Sequence, residues 1–176
     1  MPGPAVNTGR EFRNAMGRFA TGVTIVSTAV DGEVHGMTAN GFMSVSLDPR
    51  LVLISVREEA RIRALLERSG TYGVSVLSRG HRLVSDHFAG RRGEQPPADF
   101  VDLAGVPVVA DAITRVAARI VAIHPAGDHL LYVGQVMDFA DEQQGEPLIF
   151  HGGRYRELGA DSDAPVIWHE LAHAWF

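Results

Sequence analysis

The stretch from Gly36 to Pro49 reads Gly-Met-Thr-Ala-Asn-Gly-Phe-Met-Ser-Val-Ser-Leu-Asp-Pro. Thr38, Asn40, Ser44 and Ser46 supply short donors and acceptors, and Gly36 and Gly41 leave room for a backbone to approach a ligand closely. Backbone N–H groups and small polar side chains gathered in this way suit a flat, anionic ligand, so the stretch reads as a cofactor cradle. The competing reading is a polar loop between two strands, because no phosphate-binding fingerprint is matched. A second constellation, His169-Glu170-Leu171-Ala172-His173, matches HExxH. In that pattern two histidines one helical turn apart bind zinc and the glutamate acts as base. Here only three residues follow, and Trp168, Leu171 and Trp175 give the segment the look of a docking helix. Five residues with two free positions are a modest coincidence in a chain with eight histidines, so no metal ligand is assigned.

What is missing narrows the chemistry further. No cysteine occurs, which removes thiolate nucleophiles, iron–sulfur clusters and a disulfide framework. All sixteen basic residues are arginine, so a Walker-type phosphate lysine and a Schiff-base lysine are excluded. No GxGxxG is present, and a Rossmann dinucleotide site is not expected. A net charge of −5 leaves no basic excess to neutralise a nucleic-acid backbone. The N-terminus lacks a charged and apolar leader, and no apolar run reaches the length of a membrane span. The expectation is a cytoplasmic protein with neither nucleic-acid nor membrane partner.

The elements that must position the cradle follow from periodicity. Phe12, Ala15, Met16 and Phe19 share a face of a helix over 10–20, which Gly22 follows. Val23 to Val30 and Glu33 to Thr38 read as strands joined by Asp31-Gly32, a strong two-residue hairpin signal. Leu51 to Val56 is a buried strand by its β-branched content, Glu58 to Glu67 a helix ended at Ser69-Gly70, and Tyr72 to Leu77 another strand. Ser78 to Phe88 reads as a helix carrying His81 and His87, and 89–98 as a loop by composition. Val106 to Val109, Ala112 to His124 and Leu130 to Phe139 are three more strands, with Pro125 to Asp128 as a turn. Many strands without regular βαβ alternation predict a mainly β, antiparallel barrel with peripheral helices. Residues 1–160 are expected to form this domain, and 161–176 a C-terminal helical tail.

Several segments resemble the short-chain flavin reductases, the reductase components of two-component flavin monooxygenases. They are Phe12 to Val26, Gly36 to Asn40, Val45 to Pro49, Gly127-Asp128-His129 and His151 to Tyr155, in consistent order across roughly residues 10–158. The resemblance implies a homodimeric FMN-binding split β-barrel that reduces FMN or FAD with NADH or NADPH. It passes the reduced flavin to a flavin-dependent monooxygenase. By that resemblance Thr38, Ala39, Asn40, Gly41 and Phe42 line the isoalloxazine and ribityl chain, and Ser55, Arg57 and Arg61 approach the phosphate. Arginine suits the last role because its planar fork grips phosphate oxygens. Without the family, Arg57 and Arg61 read as solvated charges at a strand-to-helix junction. Ser46 either bonds the flavin or caps its own turn.

The resemblance also puts His129, His151, Gly152, Gly153, Arg154 and Tyr155 on the nicotinamide side. Hydride transfer needs stacking and distance more than a protein acid. His129, the one catalytic candidate, is therefore assigned to positioning or a modest electrostatic effect. The sequence departs from the family pattern at Gly41 and Met43, where small hydroxyl residues are more usual, and at Arg50, where a second proline is frequent. Two other functions remain in view: a flavin-holding redox module without turnover, and zinc hydrolysis through His169 to His173.

Overall fold

The computed structural model describes residues 8–91, 98–142 and 145–159. The expected C-terminal tail, with its HExxH match, lies outside the described residues, as do residues 92–97 of the expected loop.

Twelve strands and three α-helices build the described fold. Helix α1 (Gly9–Met16) opens in a capping box, in which Thr8 and Glu11 satisfy each other's end of the first turn. It is shorter than its apolar spacing suggests, because the backbone closes at Gly17, and it buries none of its residues. Phe12, Met16 and Phe19 stay exposed to solvent. After the short β1 (Thr21–Gly22) comes the hairpin of β2 (Thr24–Val30) and β3 (Glu33–Ala39). Its turn is Asp31-Gly32, both at positive φ, as the sequence leads one to expect.

The expected cradle departs from a loop. β3 runs to Ala39 and β4 (Phe42–Leu47) starts after two linking residues, so most of Gly36 to Pro49 is extended strand. β5 (Arg50–Arg57) pairs with β4, and α2 (Ile62–Ser69) ends at Gly70 in the left-handed region. Helix α2 starts four residues later than expected, because 58–61 form the turn out of β5. Then come β6 (Thr71–Val76), a 3-10 turn at Arg79–His81, and α3 (Arg82–Phe88). The hairpin of β7 (Phe100–Leu103) and β8 (Val106–Val109) includes one strand that the periodicity does not signal. The long strands β9 (Thr114–Ala126) and β10 (His129–Asp141) turn tightly at Gly127-Asp128. The small hairpin of β11 (Ile149–His151) and β12 (Arg154–Arg156) pairs with β1.

The main sheet has the order β3-β2-β6-β9-β10-β5-β4, antiparallel throughout. Its two edge strands, β3 and β4, are consecutive in the chain and joined only by Asn40 and Gly41. A two-residue link reaches only a few ångströms, so the sheet must curl until its edges meet at that end. This is the split barrel, and Asn40-Gly41 is its seam.

Alternation along the strands fills two cores. Val26, Val52, Ile54, Val56, Tyr72, Val74 and Tyr132 close the barrel interior together with Ile62 and Leu66 of α2. Val23 and Ile25, pointing the other way from β2, join Leu77, Val109, Ala112 and Leu148 beneath α3 and β11. That double duty explains why β2 is buried on both faces. Tyr72 crosses the interior, its hydroxyl donating toward the Val52 and Tyr132 carbonyls at 3.3 Å. Burial holds this phenol neutral well above its ordinary range.

Candidate functional site

The seam is pinned from three sides. The Gly41 carbonyl accepts the Ser55 N–H at 2.8 Å. A Cβ added at Gly41 would sit 3.1 Å from the Ser55 Cβ, so glycine here lets the turn lie against β5. This gives a packing reason for one departure from the family pattern. Thr24 donates its hydroxyl to the Ala39 carbonyl at 2.8 Å, and the Asn40 amide donates to the Thr21 hydroxyl at 3.3 Å. Thr38 donates across to α3, reaching the Ser85 carbonyl at 2.6 Å. Its hydroxyl thus sets the distance between cradle and helix.

Thr38, Ala39 and Asn40 form one wall of a pocket of about 170 Å³, with Ser85, Phe150 and Tyr155 opposite. Ser85 is fully buried, and its Oγ lies 2.9 Å from the Tyr155 hydroxyl. Tyr155 also donates to Asp86 at 3.0 Å, and Arg91 donates to the same carboxylate at 2.6 Å. Burial, and then the bond to Asp86, raise the Tyr155 pKa, so the phenol stays a donor at neutral pH. Asp86 therefore gathers β12, α3 and the chain leaving α3 around one pocket.

Two larger clefts adjoin it. One, of about 740 Å³, has Arg61 and Arg91 on its rim and Gly36, Met37, Ile62 and Phe88 on its walls. A Cβ on Gly36 would fall 2.8 Å from the Phe88 ring, so glycine there lets Phe88 of α3 pack against the β3 backbone. The other, of about 720 Å³, lies between α1 and the β11–β12 turn and is lined by Phe19, Asn40, His151, Gly152 and Gly153 among others. The Gly152 N–H donates to the Gly17 carbonyl at 2.7 Å, tying that turn to the end of α1. Both Gly152 and Gly153 have positive φ, which the tight turn requires.

His129 and Arg57 stand opposite each other across the β10–β5 ladder. Asp128 binds both: 2.8 Å from its Oδ1 to His129 Nδ1, and 3.6 Å from its Oδ2 to an Arg57 nitrogen. The His129 bond, and then the charges of His129 and Arg57, hold the Asp128 carboxyl below its usual range. The Asp128 carboxylate accepts from the His129 Nδ1–H, which fixes the ring and leaves Nε2 as its unpaired nitrogen.

The structure thus distributes the expected residues unevenly. Thr38, Ala39, Asn40, Gly41 and Ser55 meet at the seam, and Arg61 lies in the adjoining cleft. Phe42 turns inward and packs on the barrel core instead. Ser46 sits at a bulge opposite Leu51, roughly 13 Å along β4 from Phe42, and lines none of these cavities. The nicotinamide set is divided: His151 to Tyr155 form a hairpin of the small sheet, whereas His129 begins β10 of the large one. Ser85, Asp86 and Arg91 complete the site and were not singled out from the sequence. Their only signal is a polar trio, Ser85-Asp86-His87, inside a short helix, and such a trio ordinarily faces solvent.

The walls fit a ligand that is aromatic and anionic. Apolar side chains and open glycine surface suit a flat ring, and the two arginines at the rim suit phosphate. Among the described residues no cluster of metal-ligating side chains occurs, and no helix is long and apolar enough to cross a membrane.

Comparison with known proteins agrees with this chemistry. Residues 16–159 match the flavin reductase like domain. An NADH-dependent flavin reductase from a Rhodococcus species is 47% identical over 150 residues, covering 84% of this chain and 85% of the relative. The reductase component of a Thermus thermophilus 4-hydroxyphenylacetate 3-monooxygenase is 39% identical over 147 residues, covering 84% and 95%. Among solved structures, the flavin reductase PheA2 superposes with a TM-score of 0.84 at 43% identity, covering 87% of this chain and 99% of that one. The Streptomyces globisporus NADH:FAD oxidoreductase SgcE6, solved with NAD and FAD fragments, gives 0.81 at 36% identity, covering 88% and 94%. A family match over most of the chain, joined to a seam pocket of matching chemistry, means that this protein belongs to the flavin reductase like domain family.

Proposed function

We propose that the protein is an NADH-dependent flavin reductase that supplies reduced flavin to a separate monooxygenase. The observation that carries this is the single pocket walled by Thr38, Ala39 and Asn40 on one side and by Phe150 and Tyr155 on the other. Residues of the expected flavin segment and of the expected nicotinamide segment both line it, which supports a hydride transfer between neighbouring ligands. When bound, the oxidised flavin would accept a hydride from NADH and a proton from solvent, leaving NAD+ and the dihydroflavin. The chain's own residues bind and orient. Thr38, Ala39, Asn40 and Gly41 bear the ring edge through backbone and short side chains, and Ser55 fixes their turn. Arg61 takes the phosphate, while Arg57 is held toward Asp128. His129, its ring held through Nδ1 by Asp128, positions the nicotinamide rather than transferring a proton. His151 to Tyr155 form the far wall.

The functional unit is a homodimer. Phe12 and Met16 on α1, Phe19 just after it, and Met43, Val45 and Leu47 on β4 are large apolar side chains left exposed in one chain. A second copy covering them supports the same reading. A cytoplasmic location fits a consumer of NADH. FMN against FAD, and NADH against NADPH, are separated by the same assay.

The test is the loss of nicotinamide absorbance when NADH or NADPH is added to purified protein with FMN, FAD or neither. Oxidation that requires flavin supports the reductase. Flavin binding without oxidation favours a redox module, to which His129 and the β11–β12 hairpin would contribute nothing. Tight zinc binding with peptide hydrolysis would instead revive His169 to His173.

A further inference from the structure

Beside the seam pocket lies a cavity of about 300 Å³ whose lining includes three arginines, Arg82, Arg91 and Arg154, together with Phe150, Gly153 and Tyr155. Among the described residues one carboxylate, Asp86, pairs with these arginines. It binds Arg91 at 2.6 Å and approaches Arg82 only to 3.9 Å. Asp86 is 19% exposed and already accepts the Tyr155 hydroxyl, so it is largely spent on holding Arg91 and β12. The pocket therefore keeps an excess of positive charge. Arg82 lies over the Tyr155 ring, 5.4 Å from its centroid, an arrangement that steadies the guanidinium plane and leaves its N–H edge open. Arg154 has no ion-pair partner among the described residues.

Size and position narrow the ligand. The cavity is at the small end for an organic ligand, so a nucleoside or isoalloxazine ring would fill it without engaging the arginines. A diphosphate is compact, carries its charge on several oxygens, and matches the paired N–H donors that guanidinium presents. Arg91 and Tyr155 also line the adjoining seam pocket, and Arg91 the large cleft next to it, so the arginine pocket stands at a junction. A ligand with a ring at each end and phosphates between would cross it.

We infer that Arg82, Arg91 and Arg154 form a subsite for the diphosphate bridge of an adenine dinucleotide, supplied either by the NADH co-substrate or by FAD. This rests on the reductase reading for its ligands, but its test does not need turnover. ADP is titrated calorimetrically into the full-length protein and into Arg82→Gln and Arg154→Gln, with adenosine as the phosphate-free control. Each substitution is expected to weaken ADP about tenfold, ~1.4 kcal/mol, and to leave adenosine unchanged. Rising salt should weaken ADP in the unmodified protein and less in the variants. Arg82→Lys and Arg154→Lys should recover part of the loss, and thermal melts of all variants should coincide. Steady-state kinetics then identify the source. A raised KM for NADH with FMN as acceptor assigns the bridge to NADH, and a raised KM for FAD but not FMN assigns it to FAD. ADP binding no tighter than adenosine, or equal in protein and variants, overturns the subsite. Absence of NADH oxidation with any flavin overturns the reductase reading alone.

Discussion

The Ser85–Tyr155–Asp86 network makes a prediction that separates packing from coupling. In Tyr155→Phe the ring and its packing against Phe150 remain, while two hydrogen bonds disappear. Asp86 keeps Arg91, so losing the tyrosine donor costs about 1 kcal/mol. The buried Ser85 hydroxyl, however, is left without its side-chain partner, which adds about 1.5 kcal/mol. Together these give a destabilisation of about 2.5 kcal/mol. Ser85→Ala should cost only about 1 kcal/mol, because Tyr155 still donates to Asp86 and Thr38 still donates to the Ser85 backbone carbonyl. The double variant strands no buried hydroxyl and should cost about 2 kcal/mol, short of the sum by about 1.5 kcal/mol. Urea unfolding at one fixed protein concentration measures all four proteins, since dimer formation would make stability concentration-dependent. The KM for NADH should rise more in Tyr155→Phe than in Ser85→Ala, because only the former releases β12 from Asp86. Additivity to within about 0.5 kcal/mol would refute the network, and a stability loss with unchanged KM would separate it from the site.

Other perturbations test other parts of the molecule. His129→Ala should raise the KM for NADH by about tenfold, the worth of one good hydrogen bond, while flavin affinity measured by fluorescence quenching holds; equal losses in both sink the positioning role. Gly134→Ala would place a methyl group against the Tyr72 side chain, whose ring carbons lie 2.7 and 2.8 Å from the new Cβ, and should destabilise by about 3 kcal/mol in chemical denaturation. An unchanged denaturation midpoint would mean that Tyr72 is free to move. Asp111 is bonded to His81 at 2.9 Å, which holds its carboxyl below the ordinary 3.8. A lowered carboxylate contributes stability above its unfolded pKa and loses it as pH falls through the folded value. Asp111→Asn should therefore lower stability at neutral pH, flatten the profile below about pH 4 and leave the most acidic stability little altered, and an unchanged neutral stability and acid limb would discount the pair.

Local chemistry in the chain determined much of the fold. Asp31-Gly32 could hardly be other than a tight hairpin, since two successive positive φ angles suit that pair. Gly70 ended α2 where its left-handed conformation was needed, and the β-branched runs became the strands around Tyr72 and Ile54. The absence of cysteine and lysine removed whole classes of chemistry before any fold was considered. The flavin segment was legible through its small polar side chains and the order of the family's motifs.

Tertiary structure alone decided what those residues do. The stretch Gly36 to Pro49, read as a cradle with a polar loop as the alternative, lacks a clear period in its small polar residues, yet most of it is strand, held by ladders to its neighbours β2 and β5. Strand register packs Phe42 on the core and carries Ser46 along β4, positions that no pattern in the sequence reveals. α1 shows the opposite failure: its spacing marks an apolar face, yet among the described residues nothing buries it. Asp86 had only the polar trio of its short helix as a signal, because its role depends on Arg91 and Tyr155 arriving from elsewhere. Periodicity records which face of an element is apolar, whereas the meeting of side chains far apart in sequence depends on how the sheet curls. That curl brings Thr38 of β3, Ser85 of α3 and Tyr155 of β12 around one pocket.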